Sequence, residues 1–120
     1  MIGYSLILPL GPSDNSYYGA NGNRRYIKPA GIAFRQEVAL AVKQSNMPTL
    51  KGRLCVVARI YPKTRAVTDV ANRAKALCDA LMLAGAFEDD GQIDEIQFLR
   101  GPVVPGGRCE VMIGEIPCRP

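Results

Sequence analysis

Apolar positions along the chain change period several times, and each change predicts an element. Gly3–Leu8 is a short apolar run closed by Pro9 and the turn-forming Gly11-Pro12-Ser13-Asp14-Asn15, so it predicts a strand. Ser16–Arg25 is rich in Gly and Asn, carries Tyr17 and Tyr18, and predicts a loop or hairpin leading into Arg25–Lys28. Pro29 suits the first turn of a helix. Ile32, Phe34, Val38, Ala41 and Val42 then give an apolar side for three or four turns, finished before Pro48. Leu54–Tyr61 is nearly continuous in apolar residues, the pattern of a strand largely covered on both faces. After the basic linker Pro62–Thr68, apolar residues recur at threes and fours from Val70 through Leu77 and Cys78 to Ala84. That spacing predicts a second helix, with Gly85 as its C-cap and Phe87 placed to fold back on its end. Ile93–Leu99 and Cys109–Ile116 predict two further strands joined by the long turn Gly101–Gly107, and Pro117–Pro120 a frayed tail.

Strand, helix, strand, helix, strand, strand describes an α/β domain over residues 1–120, with a single layer of about two helices packed on a small mixed β-sheet. The other sheet face is left to a partner, and a homodimer is the simplest way to cover it. Composition removes several function classes. With no histidine, His-based acid–base catalysis, Ser–His–acid triads and His-containing zinc sites are excluded. Cys55, Cys78, Cys109 and Cys118 form no CxxC pair, and three of them sit in apolar patterns, so a disulfide scaffold is not expected. No apolar run approaches the roughly 20 residues of a membrane span, and Met1–Leu10 lacks the build of a signal peptide.

Charge is distributed unevenly. Residues 1–68 carry ten Lys or Arg against two acids, whereas residues 69–120 carry five against nine. A basic half attracts a polyanion, and a carboxylate-rich half can hold divalent metal against it, a combination suited to a nuclease. The basic candidates are Arg24, Arg25, Lys28, Lys63 and Arg65, with Arg35 and Arg59 behind them. Tyr17, Tyr18 and Tyr26 lie among these charges, where they either stack on exposed bases or pack on the sheet.

Asp69 stands where the basic linker meets the second helix, as an N-cap or as a metal ligand. Asp69, Asn72 and Lys75 follow at spacings of three, which places them on roughly one side of a helix that includes Asp69. Glu88-Asp89-Asp90 reads locally as a solvated acidic turn. The chain must double back there, however, and one of these carboxylates can approach Asp69 to hold Mg²⁺. Lys75 then neutralises charge at a phosphate, or else pairs with Asp79, itself expected on the helix surface.

Gly11-Pro12-Ser13-Asp14-Asn15-Ser16-Tyr17-Tyr18, the segment Gly31-Ile32-Ala33-Phe34-Arg35, the stretch from Asp69 to Leu81 and Phe87-Glu88-Asp89-Asp90 occur in one order. In that combination the chain resembles the RusA family of Holliday junction resolvases. The resemblance implies a homodimeric endodeoxyribonuclease of the bacterial cytoplasm, phage or prophage encoded members included. It implies binding to four-way junction DNA and symmetric cutting with Mg²⁺, or Mn²⁺ in its place. It further implies a site made of Asp69, Asn72, Lys75 and Asp90, with Asp69 and Asp90 as metal ligands and a second aspartate of the helix start at the position of Ala71. A methyl group there ligates nothing. Ala71 therefore reads as a deliberate Asp-to-Ala change that disables cutting and spares junction binding. A naturally non-catalytic branched-DNA-binding protein is the alternative reading.

Overall fold

A computed structural model of the chain describes residues 3–65 and 70–116. Asp69 and the segment 117–120 expected as a tail lie outside the described residues, as does the side chain of Ala71. Strands β1 (Gly3–Leu8), β4 (Leu54–Tyr61), β5 (Ile93–Arg100) and β6 (Arg108–Glu115) form one sheet in the order β1-β6-β4-β5. Strands β2 (Tyr18–Asn21) and β3 (Arg24–Ile27) form a separate antiparallel hairpin. Between these lie a single turn, α1 (Asp14–Tyr17), and two longer helices, α2 (Pro29–Ser45) and α3 (Ala74–Leu83). The expected α/β class and mixed sheet are what the chain adopts. β4 passes through α3 into β5, a crossover that makes this pair parallel, while β6 runs antiparallel to both β1 and β4. Gly101–Gly107 crosses the end of β4 and is tied to it by bonds from Gly101 N–H to Ile60 O and from Val104 N–H to Pro62 O.

The core occupies one face of the sheet. Leu54, Val56, Ala58 and Ile60 of β4, with Cys109, Val111 and Ile113 of β6, bury against Phe34, Val38 and Val42 of α2 and Leu77, Ala80 and Leu81 of α3. Alternate residues of β4 point the other way, and there Cys55 and Val57 are half-buried and Arg59 is exposed. Coverage on both faces, expected from the apolar run, is thus met on one face within a single chain.

Helix α2 is longer than three or four turns, with 17 residues from Pro29 to Ser45, and Asn46 closes it in the left-handed conformation at φ 57°. Its buried stripe is Gly31, Phe34, Val38 and Val42, the i, i+3, i+4 spacing of an amphipathic helix. Ile32 faces outward instead. Gly31 takes the inner place because a Cβ there would stand 2.9 Å from Tyr17 O and 2.7 Å from Ile27 Cγ2. Helix α3 begins later than the periodicity predicts. Ala71–Arg73 forms a 3-10 turn with a break at Asn72, and regular helix starts only at Ala74. Its C-terminus follows the expected glycine rule. Gly85 adopts φ +87°, its N–H bonds to Met82 O, and Ala86 N–H bonds to Leu81 O, a Schellman closure. Phe87 is buried as expected, and Leu50 pairs with it in an isolated parallel bridge.

Candidate nucleic-acid and catalytic site

The start of α3 is held from a distance. Arg73, at its N-cap position, makes no side-chain capping bond. Asp14 of α1 supplies the cap instead, its Oδ1 accepting from Ala76 N–H at 2.8 Å. A carboxylate suits that end of the helix, where free N–H groups and the dipole both favour negative charge. In return, Arg73 Nη1 donates to Gly11 O at 2.6 Å, and burial pulls the guanidinium below its usual range. The Gly11–Asp14 segment and the turn carrying Asn72 are therefore stapled in both directions. Asp14→Ala is expected to cost about 1 kcal/mol, the usual loss for a removed N-cap. Chemical denaturation reads this directly, and a stability unchanged within error would deny Asp14 the role.

Lys75, in the first turn of α3, is exposed and places its Nζ 4.9 Å from the centre of the Tyr18 ring. The guanidinium of Arg25 lies 5.1 Å from the same centre. Tyr17 meets that ring edge-on at 4.5 Å between centroids. Lys28 reaches back to donate to Asn15 O at 3.3 Å. Together Asp14, Asn15, Tyr18, Arg25, Lys28 and Lys75 line an open cleft of about 340 Å³. The Tyr18 phenol is raised above its ordinary pKa, by burial first and by Asp79 and Asp14 next, so it stays neutral there.

The basic candidates separate on this geometry. Strand alternation in the hairpin sets Ala20 and Arg25 on the face shared with Tyr18, whereas Arg24 and Tyr26 fall on the opposite face. Arg25 and Lys28 join Lys75, and Arg24 does not. Lys63 and Arg65 are exposed in the bends after β4, and Arg59 is exposed on the open face of the sheet. Arg35 belongs elsewhere: its Nη2 pairs with Asp79 Oδ2 at 2.7 Å and its Nε donates to Tyr17 Oη at 2.5 Å. Asp79, expected as a surface residue or as a partner of Lys75, is instead half-buried and also accepts from Tyr17 Oη. Tyr17 itself is fully buried, so of the two fates open to the tyrosines it takes packing.

Asp90 is exposed at the start of a 3-10 turn, Asp90–Gln92. Asp89 caps that turn by accepting from Gly91 N–H at 3.0 Å, and Gln92 Oε1 closes the box on Glu88 and Asp89 N–H. The acidic turn is therefore ordered by its own hydrogen bonds, with the Asp90 carboxylate left facing solvent. Burial pushes the Cys78 thiol of α3 up to about 11, with Asp90 and Asp14 adding to the shift, so both carboxylates act on one helix. The approach of Asp90 to Asp69 lies outside the described residues. Among the described residues, no three His, Cys, Asp or Glu side chains form a group able to hold a metal ion.

Sequence reasoning passed over Asp14 as the carboxylate that caps α3 and over Tyr18 as the ring between two cations. The only sequence signal for the cap is indirect, since Arg73 is a poor N-cap and the missing carboxylate must come from elsewhere.

The family model for Endodeoxyribonuclease RusA matches residues 9–114. The chain is 35% identical over 116 residues to the crossover junction endodeoxyribonuclease rusA of Enterobacteria phage HK97, covering 94% of this chain and 95% of that protein. It is 36% identical over 114 residues to the crossover junction endodeoxyribonuclease RusA of Escherichia coli strain K12, and 37% identical over 114 residues to that of Enterobacteria phage 82, each covering 94% of this chain and 95% of the relative.

Proposed function

The chain belongs to the RusA family of endodeoxyribonucleases, and from that premise we propose that it is an Mg²⁺-dependent Holliday junction resolvase in a form that binds four-way junctions but whose cutting is impaired by Ala71. The observation that carries this reading is the convergence of Arg25, Lys28 and Lys75 on one cleft at the start of α3, the helix packed against the turn that presents Asp90. Cations there hold the strand, and Lys75 offsets charge developing at a phosphate oxygen. Asp69 and Asp90 would be the metal ligands, with Asn72 beside them. A bound Mg²⁺ or Mn²⁺ supplies an activated water and Lewis-acid charge. The donor set at hand does not complete such a site, because position 71 offers a methyl group. Binding needs only the cations and is retained.

Two strands of a junction call for two centres, and we propose a homodimer formed through the open face of the sheet. Supporting this, Ile7 is 71% exposed and Met112 49% exposed on that face, next to Val57 and Leu99. Sedimentation should give twice 13.0 kDa. Met112→Asp should shift the protein toward monomer by burying a charge in the interface. A monomer with and without DNA would remove the two-centre arrangement.

The cellular setting proposed is the cytoplasm, where junction DNA is found; no helix among the described residues is long and apolar enough to cross a membrane. The test of the whole reading is a comparison of a four-way junction with linear duplex of equal length. Tighter junction binding with little cleavage in Mg²⁺ is the expected result, and equal affinity for both would reject it. A naturally binding-only member is the second reading, favoured by Ala71 itself and separated by the substitution discussed below.

A further inference from the structure

We propose that the cleft between the β2–β3 hairpin and the start of α3 is a subsite for one backbone phosphate of the DNA strand, held by Arg25 and Lys28 next to the phosphate that Lys75 faces. The proposal rests on the junction-binding reading above and adds that Arg25 and Lys28 share one backbone phosphate, adjacent to the one at Lys75.

Three cations line this cleft against one carboxylate, Asp14. That carboxylate is already committed, since its Oδ1 accepts from the backbone of Ala76. The cations lack an anionic partner: no described carboxylate lies within ion-pair distance of Arg25, Lys28 or Lys75, whereas Arg35, Arg53 and Arg108 each have one. Like charges brought together without counter-charge repel, so the arrangement is unfavourable when empty and favourable around an anion.

The cations are also ordered before any ligand arrives. Arg25 and Lys75 both stand against the Tyr18 ring, and Lys28 is tethered to Asn15 O. A long basic side chain that is already held loses less rotamer freedom when it grips a phosphate. The ring is itself fixed by Tyr17, which is fully buried and bonded to Asp79 and Arg35. The preordering therefore reaches back to the joint between α2 and α3. Because the cleft is open rather than enclosed, a continuous strand can enter and leave it, as a free nucleotide pocket would not require. The opposite face of the same hairpin carries Arg24, an exposed cation outside this cleft, and so provides an internal control.

The experiment measures binding of a fluorescently labelled four-way junction across a salt series for the wild type, Arg25→Gln, Lys28→Gln and Arg24→Gln. Each phosphate contact contributes about 0.9 to the slope of log affinity against log salt. Arg25→Gln and Lys28→Gln should each lower the slope by about one and weaken binding roughly three- to tenfold at moderate salt. Arg24→Gln should leave the slope nearly unchanged. A set of junctions, each with a single neutral methylphosphonate near the crossover, then locates the contact. At one position the wild type should lose affinity while Arg25→Gln loses no more. Arg24 and Arg25 are exposed and Lys28 is half-buried, and a circular dichroism spectrum and unfolding midpoint matching wild type confirm the fold of each variant. Normal wild-type binding with unchanged slopes for Arg25→Gln and Lys28→Gln, or an equal loss in Arg24→Gln, overturns the subsite alone. A wild type that binds no junction at any salt overturns the junction-binding reading and the subsite with it.

Discussion

Ala71→Asp is expected to raise Mg²⁺-dependent junction cleavage by at least two to three powers of ten, the scale of a lost group that acts mainly on the transition state. The methyl group now at this position cannot coordinate a cation or orient a water. A carboxylate can do both, and it would stand in the 3-10 turn Ala71–Arg73, immediately before Asn72 and one helical turn before Lys75. The substitution should be structurally mild, because acidic side chains are well tolerated ahead of a helix N-terminus. Junction affinity should fall slightly, since one negative charge is added beside DNA. Cleavage of both proteins is followed in Mg²⁺ and in EDTA. Nicks that appear only with Ala71→Asp and only with metal identify the chain as a disabled resolvase. Equal and robust cleavage by both would make position 71 dispensable. No cleavage by either, with junction binding intact, would favour a natural binding-only protein.

Legibility in the sequence followed the range of the interactions involved. β1 and β4 are readable because strand apolarity is local, and Pro29 and Gly85 mark helix ends through backbone chemistry that each residue carries by itself. The start of α3 is not legible in the sequence, for the opposite reason. Apolar spacing from Val70 continues through the 3-10 turn, but the N–H of Ala76 in the first turn of α3 is satisfied by Asp14, 62 residues earlier in the chain. Lys75 and the pair Arg25 and Lys28 were recognisable as basic, yet their separation from Arg24 needed the hairpin register, which fixes the face on which each residue lies. Asp79 has no distinctive local pattern, and only the packing of α2 on α3 reveals that it is bonded away from Lys75.

That same packing gives the largest expected stability effect. Asp79→Ala should cost about 2–3 kcal/mol, because it leaves the Tyr17 hydroxyl and the Arg35 guanidinium without their acceptor in a site only partly open to water. The midpoint of thermal unfolding should fall by roughly 8 °C or more. Asp79→Asn, which keeps an acceptor oxygen but loses the charge, should cost less. Tyr17→Phe combined with Asp79→Ala should be less destabilising than the two separate losses added together, since both remove the same bond. The cluster also has a pH signature. Burial first, and Asp79 next, raise the pKa of the Tyr17 phenol well above its ordinary value, while Arg35 opposes the shift. The folded state thus holds the phenolic proton more tightly than the unfolded chain, where tyrosine titrates near about 10. Stability from this source is fully present below that pH and is lost as pH climbs from there through the folded value. Wild-type unfolding free energy should decline above about pH 10, and Tyr17→Phe should flatten part of that decline. An alkaline slope identical in the two proteins would show that Tyr17 does not contribute it. Because Tyr17 also buttresses Tyr18, loosening the cluster with Asp79→Ala should weaken junction binding even though Asp79 does not line the cleft.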